Sequence, residues 1–447
     1  MEMMGMENIQ QNQGLKQKDE QFVWHAMKGA HQADSLIAQK AEGAWVTDID
    51  GRRYLDAMSG LWCVNIGYGR KELAEAAYEQ LKELPYYPLT QSHAPAIHLA
   101  EKLNEWLGGD YVIFFSNSGS EANETAFKIA RQYHLENGDH SRYKFISRYR
   151  SYHGNTLGAL SATGQAQRKY KYEPLSQGFL HAAPPDVYRN PEDADTLESA
   201  NEIDRIMTWE LSETIAGVIM EPIITGGGIL MPPDGYMKKV EEICRRHGAL
   251  LICDEVICGF GRTGEPFGFM HYGVKPDIIT MAKGITSAYL PLSATAVKRE
   301  IFEAYQGEAP YDRFRHVNTF GGSPAACALA LKNLQIMEDE QLIQRSRDLG
   351  AKLLGELQSL REHPAVGDVR GKGLLVGIEL VKDKLTKEPA GADQVVAACK
   401  EKGLIIGKNG DTVAGYNNVI QLAPPFCLTE EDLAFIVKTV KESILTI

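Results

Sequence analysis

The stretch Ala249–Phe260, ALLICDEVICGF, decides the fold class. Five apolar residues run into two acids, Asp254 and Glu255, which is typical of a strand that is buried on both faces and ends in polar side chains. Adjacent strand residues point to opposite faces, so the two acids cannot share one role. Because an unpaired buried carboxylate is costly, one of them needs a cation, and an ion pair with a neighbouring Lys or Arg would satisfy it as well as a functional site would.

The same alternation of short apolar runs and helical stretches extends from about Asp110 to Val297. Gly119–Gln132 and Met237–His247 have the spacing of amphipathic helices. The remaining apolar runs, which we interpret as strands, are Tyr111–Phe115, Lys144–Ser147, Gly217–Met220, Ala249–Cys253, Asp277–Met281 and Ala294–Val297. This order predicts an α/β fold in which a mostly parallel sheet is flanked by helices.

After Phe320 the pattern becomes that of a smaller α+β domain. Its predicted elements are Pro324–Glu340, Leu342–His363, Gly373–Leu380, Ala392–Lys402, Val419–Leu422 and Thr429–Ile447, the last capped by Thr429. Near the amino terminus, a polar stretch that we expect to be mobile precedes Gly43–Asp56, which is predicted to form two strands around Asp50-Gly51. We therefore predict that residues 66–325 form a large domain and that residues 1–65 join 326–447 in the small domain.

The composition excludes several classes of protein. The chain has 447 residues, of which 44% are hydrophobic and 24% charged, as in soluble globular proteins. Its formal charge of −12 and the lack of a basic cluster argue against a nucleic-acid partner. We find no signal peptide, no membrane span and no metal motif, and the seven cysteines form no C-x-x-C pair. A cytoplasmic protein without a membrane partner is therefore expected.

Two nucleotide-binding motifs compete for the same region. Apolar residues followed by Asp-Glu resemble a Walker B strand, but Gly367–Gly373 and Gly403–Asn409 have the wrong spacing for its partner loop, which excludes a P-loop NTPase. Gly259–Gly264, GFGRTG, matches G-x-G-x-x-G, yet a dinucleotide fold needs a helix to begin there, and the chain continues with Pro266 and more glycines. The nicotinamide alternative is therefore weakly supported.

Lys283 ends the apolar run in Asp277–Gly284, DIITMAKG. A lysine is ordinarily a surface residue with its ammonium group in water. If Lys283 is buried, desolvation lowers its pKa, and the free amine can form an imine with an aldehyde. A buried Asp254 with this lysine one strand further on fits pyridoxal phosphate, whose ring nitrogen pairs with a carboxylate and whose aldehyde bonds to a lysine.

The loop Ser116–Asn123, SNSGSEAN, offers the phosphate site that this cofactor requires. It lies between a predicted strand and a predicted helix, with Ser118, Gly119 and Ser120 where the helix begins. Backbone N–H groups and the positive end of the helix dipole favour a phosphate there. Simple capping by serine would explain the same residues.

Seven motifs follow one another along nearly the whole chain: SGSEANETAFKIAR, YRSYHGNTLGALSATG, VIMEPI, LLICDEVICGFGRTG, PDIITMAKGI, NTFGGSPAACA, and GLIIG followed by APPF. In this combination the sequence resembles the class III (omega) aminotransferases, which are pyridoxal-phosphate enzymes of fold type I. The resemblance implies a transaminase with pyridoxal 5′-phosphate as its cofactor. It also implies a homodimer with shared active sites, and leaves open whether dimers pair into tetramers.

The resemblance also assigns roles to individual residues. Lys283 would carry the cofactor and, once freed by the substrate, would move a proton between the substrate carbon and the cofactor. Asp254 would bind the pyridinium nitrogen, while Tyr152 and Val256 would pack on the two faces of the ring. The other cofactor-binding residues would be Glu221 near the cofactor hydroxyl, Ser118, Gly119 and Ser120 at the phosphate, and Thr319 reaching over from a second subunit; Arg262, in the FGRTG loop, would be structural.

Two segments indicate the substrate class. Asp56–Arg70 and Ala282–Ala294 resemble the omega-amino acid:pyruvate and taurine:pyruvate enzymes, in which Trp62 and Tyr152 would line the substrate pocket. Many members bind the substrate carboxylate with an Arg-Pro pair near the carboxyl end, where this chain has Gly407-Lys408, so Lys408 is the candidate replacement. The implied reaction moves an amino group from an omega-amino acid or primary amine to a keto acid such as pyruvate, in two half-reactions.

Two alternatives stay open. The adenosylmethionine-8-amino-7-oxononanoate aminotransferases of biotin synthesis are close relatives, although they typically have a different sequence after the catalytic lysine. They would use S-adenosylmethionine as the donor. The other alternative is a regulatory or structural cofactor-binding protein on an aminotransferase scaffold, and the intact Lys283 and Asp254 argue against it.

Overall fold

The structure is a computed structural model that describes residues 2–29, 35–190, 195–305, 307–410, 413 and 415–446. Its strands are β1 (Ala38–Glu42), β2 (Trp45–Asp48), β3 (Arg53–Asp56), β4 (Tyr111–Ser116), β5 (Lys144–Arg148), β6 (Phe179–Ala182), β7 (Ile215–Met220), β8 (Leu250–Asp254), β9 (Ile278–Met281), β10 (Ser293–Lys298), β11 (Val366–Gly371), β12 (Val376–Asp383), β13 (Glu388–Pro389), β14 (Leu404–Ile405), β15 (Gly407–Lys408) and β16 (Val419–Leu422). Its α-helices are α1 (Glu2–Phe22), α2 (Ser59–Trp62), α3 (Lys71–Glu83), α4 (Ala94–Trp106), α5 (Gly119–Glu136), α6 (Leu157–Ala162), α7 (Ala166–Lys169), α8 (Glu198–Trp209), α9 (Tyr236–His247), α10 (Arg299–Glu303), α11 (Pro324–Asp339), α12 (Leu342–Leu357), α13 (Asp393–Glu401) and α14 (Glu430–Ile444). Within the described ranges, none of these helices is long and apolar enough to cross a membrane.

A seven-stranded sheet lies at the centre of the protein, in the order β4-β10-β9-β8-β7-β5-β6. Neighbouring strands from β9 to β6 are parallel, whereas β10 runs antiparallel to both β4 and β9. Six strands therefore point the same way, and their carboxyl ends lie at one edge of the sheet. The predicted α/β fold with a mostly parallel sheet is confirmed.

Both faces of this sheet are covered, as alternate residues of its central strands show. In β7, Val218 and Met220 pack into the apolar cluster on one face, and Ile219 packs into the cluster on the other. In β8, Leu251 belongs to the first cluster and Ile252 to the second, which also contains residues of α5. A strand with apolar neighbours on both faces needs an unbroken apolar sequence, which is why ALLIC predicts β8 correctly.

Two smaller sheets complete the fold. One has the order β11-β12-β16-β15, with β13 paired to β12, and the other has the order β1-β2-β3-β14. β2 and β3 form the hairpin predicted at Gly43–Asp56, and β3 pairs in parallel with β14, so that Leu55 lies opposite Leu404. A strand from near the carboxyl end thus completes the amino-terminal sheet. The domain boundaries at residues 65 and 325 stay a prediction.

The amino-terminal stretch differs from the expectation of a mobile segment, because Glu2–Phe22 forms helix α1. Gln, Glu, Lys and Met are frequent in it, and all four favour helices. The helix is attached to the turn of the hairpin: Lys16 forms an ion pair with Asp50 at 2.6 Å, and Asn12 Nδ2 donates to the Ile49 carbonyl at 2.6 Å.

The amino end of α14 provides a test of local stability. Thr429 caps this helix as predicted, because its hydroxyl accepts from the Asp432 N–H at 3.1 Å while the Asp432 carboxylate accepts from the Thr429 N–H at 3.0 Å. We expect Thr429→Ala to lower the free energy of unfolding by about 1 kcal/mol, measured by urea denaturation. Thr208→Ala, at an exposed threonine in the last turn of α8, is the control, and an equal effect of both substitutions would contradict the prediction.

Candidate active site

Polar residues converge at the edge of the central sheet where its parallel strands end. Asp254 is the last residue of β8, Glu221 directly follows β7, and Lys283 lies two residues beyond β9. Tyr152 lies in the loop after β5. A cavity of about 220 Å³ opens there, and seven of the predicted site residues line it: Gly119, Ser120, Tyr152, Glu221, Asp254, Val256 and Lys283.

The Asp254 carboxylate is buried and held by three donors. Its Oδ2 accepts from Asn123 Nδ2 at 2.8 Å and from His153 Nδ1 at 2.9 Å, and its Oδ1 accepts from the Val256 N–H at 3.1 Å. These bonds replace the water that the carboxylate loses on burial. No Lys or Arg in the described part of the chain forms an ion pair with Asp254, so the simple Lys or Arg partner is not found.

Glu255 points to the opposite face, as the alternation of strand residues predicts. Its two oxygens accept from the backbone N–H groups of Gly268 and Phe269 at 2.8 and 2.7 Å. Burial raises the pKa of Glu255 to about 8. Glu255 therefore fixes a loop behind the sheet edge, while Asp254 faces the cavity.

Lys283 places its amine in the cavity wall. Its φ of +48° lies in the left-handed region, which a residue with a side chain rarely adopts. Burial lowers the pKa of the amine, against the opposing effects of Cys63, Asp254 and Glu221. No described residue accepts a hydrogen bond from this amine. A desolvated lysine of this kind is a nucleophile.

Glu221 connects the cavity to the loop that carries Tyr152. Its Oε1 accepts from the Tyr152 N–H at 3.1 Å, and its Oε2 accepts from the N–H and the hydroxyl of Thr225 at 3.0 and 2.5 Å. Burial raises the pKa of this carboxyl, against the opposing effect of His153. The Glu221 side chain thereby ties the Tyr152 backbone to the turn after β7.

The amino end of α5 faces the same cavity. Ser118 caps the helix, because its hydroxyl accepts from the Glu121 N–H at 3.2 Å. The N–H groups of Gly119 and Ser120 occupy the first two helical positions, where no carbonyl of the helix can accept from them. A Cβ on Gly119 would lie 3.0 Å from both methyl carbons of Val256, so this close approach favours glycine.

Arg262, in the loop after β8, has the structural role that was expected of it. It is fully buried and donates to the carbonyls of Leu374 and Pro424 at 3.1 and 2.6 Å, to Ser59 Oγ at 3.2 Å and to Asn65 Oδ1 at 2.7 Å. Burial lowers the pKa of the guanidinium to about 9. One side chain thus joins this loop to segments from both ends of the chain.

Four predicted site residues are not among those that line the cavity: Ser118 caps the adjacent end of α5, and the other three lie elsewhere. The Thr319 carbonyl accepts from the Tyr86 hydroxyl at 3.0 Å. Lys408 forms an ion pair with Asp393 at 2.6 Å, at the start of α13, so its charge is already compensated. Trp62 has a φ of +57° and packs against buried apolar residues. The roles of these three residues toward cofactor and substrate stay predictions.

Comparison with known proteins identifies the family. The family described as aminotransferase class-III matches residues 27–444. The chain is 96% identical over 450 residues, with 100% of both proteins covered, to the uncharacterized aminotransferase YhxA of Bacillus subtilis (strain 168). It is 42% identical over 441 residues, 96% of each protein, to the taurine–pyruvate aminotransferase of Bilophila wadsworthia (strain 3_1_6). The solved omega transaminase of Pseudomonas jessenii in complex with PMP is similar with a TM-score of 0.92 at 34% identity, covering 97% of this chain and 98% of that chain.

The chain is a class III aminotransferase. This class III aminotransferase is accordingly a transaminase whose cofactor is pyridoxal 5′-phosphate. The predictions of family, fold class, enzyme type and cofactor are confirmed.

Two residues that hold Asp254 in this aminotransferase, Asn123 and His153, are not among the predicted site residues. Besides bonding to Asp254, Asn123 donates to the His153 carbonyl at 2.6 Å and accepts from the Thr280 hydroxyl at 2.7 Å. A buried amide on the apolar face of a helix is unusual, and this signal could have drawn attention to Asn123. Its contact with Asp254 could not have been read from spacing, because 131 residues separate the two.

Asn123→Ala tests the support of Asp254. It leaves a buried carboxylate short of one donor, so we expect the free energy of unfolding to fall by about 1–3 kcal/mol. Urea denaturation without added cofactor measures the effect. Asn137→Ala, at the exposed carboxyl end of the same helix, should change the stability by less than about 0.5 kcal/mol. Equal stability of the Asn123→Ala protein and the wild type would show that Asp254 does not depend on this amide.

Proposed function

We propose that the cavity holds pyridoxal phosphate between Lys283 and Asp254. The observation that carries this proposal is an amine that bonds to no described residue and a firmly anchored carboxylate, both in the walls of one cavity. Lys283 would bond to the cofactor aldehyde. Asp254, whose oxygens are fixed by Asn123 and His153, would hold the proton on the ring nitrogen.

The amino end of α5 and two hydrophobic side chains would hold the rest of the cofactor. The N–H groups of Gly119 and Ser120, with the Ser118 cap beside them, suit a phosphate, since no described residue accepts from them and they lie at the positive end of the helix dipole. Tyr152 and Val256 line the cavity and would pack on the faces of the ring. Glu221, which lines the same cavity, would lie near the cofactor hydroxyl.

The chain's own part in the reaction is to position the reactants and to move a proton. Bound pyridoxal phosphate supplies a conjugated ring that accepts the electron pair left behind when a substrate carbon loses its proton. The Lys283 amine, whose pKa is lowered by burial, would take up that proton as a neutral base and deliver it again. Glu221 would keep Tyr152 in place during this transfer through the bond to the Tyr152 N–H.

We further propose that the amino donor is an omega-amino acid or primary amine similar to taurine or β-alanine, and that the acceptor is a keto acid such as pyruvate. The relative with 42% identity supports this assignment, because its name gives taurine and pyruvate as substrates. Gly407-Lys408 in place of an Arg-Pro pair sets the chain apart from those family members that bind the substrate carboxylate at this position.

Absorbance spectra of the purified holoenzyme test the lysine and the donor together. We expect a visible band from the lysine-bound cofactor, which taurine or β-alanine removes in the absence of a keto acid and which pyruvate restores. Lys283→Ala should lack both the band and turnover, because no amine is left to bond to the aldehyde. Lys438→Ala, at an exposed lysine of α14, should behave as the wild type.

Each outcome of this experiment points to one assignment. A Lys283→Ala protein with the wild-type spectrum and full activity would contradict the role of Lys283. Removal of the band by S-adenosylmethionine alone would favour the 8-amino-7-oxononanoate enzyme of biotin synthesis over the taurine-like class. A band that no amine removes would contradict the transaminase reaction itself.

We propose that the working enzyme is a homodimer in which Thr319 completes the site of the partner. An apolar groove of about 270 Å³, lined by Leu89, Ile97 and Val317 among others, lies next to Thr319. Val317 and Phe320 are 66% and 65% exposed in the single chain, and exposed apolar patches of this kind mark protein interfaces. A second copy on this groove would bury them, while the chain's own cavity does not include Thr319.

Mixed dimers test whether the site is shared. Thr319→Ala should weaken cofactor binding, and Lys283→Ala should abolish activity. In a dimer of one Thr319→Ala subunit and one Lys283→Ala subunit, a shared site leaves one of the two sites complete, so we expect about half of the wild-type activity per mixed dimer. Thr446→Ala in place of Thr319→Ala, at an exposed threonine near the carboxyl end, is the control. Failure of the mixed dimer to exceed the Thr319→Ala protein would contradict sharing.

We assign the enzyme to the cytoplasm. All seven cysteines are free thiols, as a reducing compartment favours.

A further inference from the structure

Arg168 lies beside the cavity wall, and no carboxylate in the described part of the chain pairs with it. Its guanidinium lies 5.0 Å from the centre of the Tyr152 ring, which lines the cavity. Its Nε donates to Gln165 Oε1 at 2.6 Å. The side chain is half-buried, and within the described ranges no Asp or Glu forms an ion pair with it. Its two terminal nitrogens are therefore available to an anion from outside the chain.

Three other cations that could bind an anion near the site are already engaged. Arg150, two residues before Tyr152, forms a buried ion pair with Asp186 at 2.5 Å. Lys408, the candidate from the sequence, is paired with Asp393. Arg262 is enclosed by four acceptors of its own. Lys169 and Lys171 also form no ion pair with a described residue, but Arg168 lies against Tyr152, which lines the cavity, so Arg168 is the uncompensated cation beside it.

The charges of the cavity create a need for such a group. Two acids, Asp254 and Glu221, line the cavity with His153, and Lys283 is the one Lys or Arg among the described residues that line it. A substrate with a carboxylate or sulfonate at its far end loses water on entry and meets these two acids, which is unfavourable without a compensating cation.

We propose that Arg168 binds the anionic end of the substrate, a carboxylate or sulfonate, at the rim of the cavity beside Tyr152. The proposal rests on the transaminase function proposed above and names the group that selects its substrates. Gln165 positions the guanidinium: it is itself buried, and its Nε2 donates to the Arg150 carbonyl at 3.0 Å, which fixes its Oε1 toward Arg168. A planar guanidinium binds an oxyanion through two parallel N–H bonds, which a lysine cannot reproduce.

The test compares donors with and without a charge. Arg168→Leu and Arg168→Lys are measured with taurine and β-alanine, and with n-propylamine, which lacks the anionic group. We expect Arg168→Leu to reduce kcat/KM for the two anionic donors about 10- to 100-fold, mainly through KM, and to leave n-propylamine unchanged. Arg168→Lys should recover part of the loss. Lys169→Leu, at the neighbouring half-buried lysine, should retain wild-type values for all three donors.

Binding without reaction provides a second measurement. Isethionate has the sulfonate of taurine but no amine, so calorimetric titration of the holoenzyme with it reports the anion site alone. We expect its Kd to rise about tenfold or more in Arg168→Leu and to stay unchanged in Lys169→Leu.

The outcomes distinguish failure of this proposal from failure of the transaminase function on which it rests. Unchanged kcat/KM and isethionate Kd in Arg168→Leu would overturn the proposal. Equal losses with β-alanine and n-propylamine would overturn it too and assign Arg168 to the positioning of Tyr152. If the wild type accepts n-propylamine but neither anionic donor, the proposed class of taurine-like substrates is contradicted, while the transaminase reaction is supported. If the wild type accepts no amine, the proposed function itself fails.

Discussion

The buried carboxylate of Asp254 is the constraint on which the rest of the site depends. A carboxylate at the end of an apolar strand has to find its donors inside the protein, and here they come from α5 through Asn123 and from the loop after β5 through His153. The helix whose amino end suits a phosphate and the loop that carries Tyr152 are therefore positioned by the same group. Glu221 ties this loop to the turn after β7, so three strand ends are held in one arrangement.

The sequence predicts those parts of the fold that depend on local pattern. The unbroken apolar run before Asp254 identifies β8, and Thr429 identifies the start of α14, because both signals lie within a few residues. The apolar pattern does not predict the helix at Glu2–Phe22, because this stretch is mostly polar. Only its composition, rich in helix-forming residues, favours a helix there. The apolar pattern carries no information on such a helix, whose residues 11–22 are all exposed or half-buried.

Contacts between distant segments set the limit of prediction in the site. The family motifs lead to residues that the folded chain brings together, and seven of them line one cavity. Nothing in the sequence shows that Asp393 forms an ion pair with Lys408, or that Arg168 lies against Tyr152, because these contacts exist only in the folded chain. The residues at the strand ends are fixed by the sheet, whereas Arg168 and Gln165 belong to a connecting segment. Such segments vary more freely than a sheet, and differences in substrate among enzymes of one fold arise there.

The bonds of Arg262 have a consequence for the order in which the protein is made. Its acceptors include Ser59, from the early part of the chain, and the carbonyls of Leu374 and Pro424, which are synthesised long after the central sheet. A buried guanidinium without its acceptors is unfavourable, so the loop after β8 cannot settle while translation is still under way. β3 likewise cannot form its parallel pairing until β14 has been synthesised. The central sheet and the bonds around Asp254 can therefore form before the chain is complete, whereas the loop that holds Arg262 becomes fixed only after residues as late as Pro424 have been synthesised.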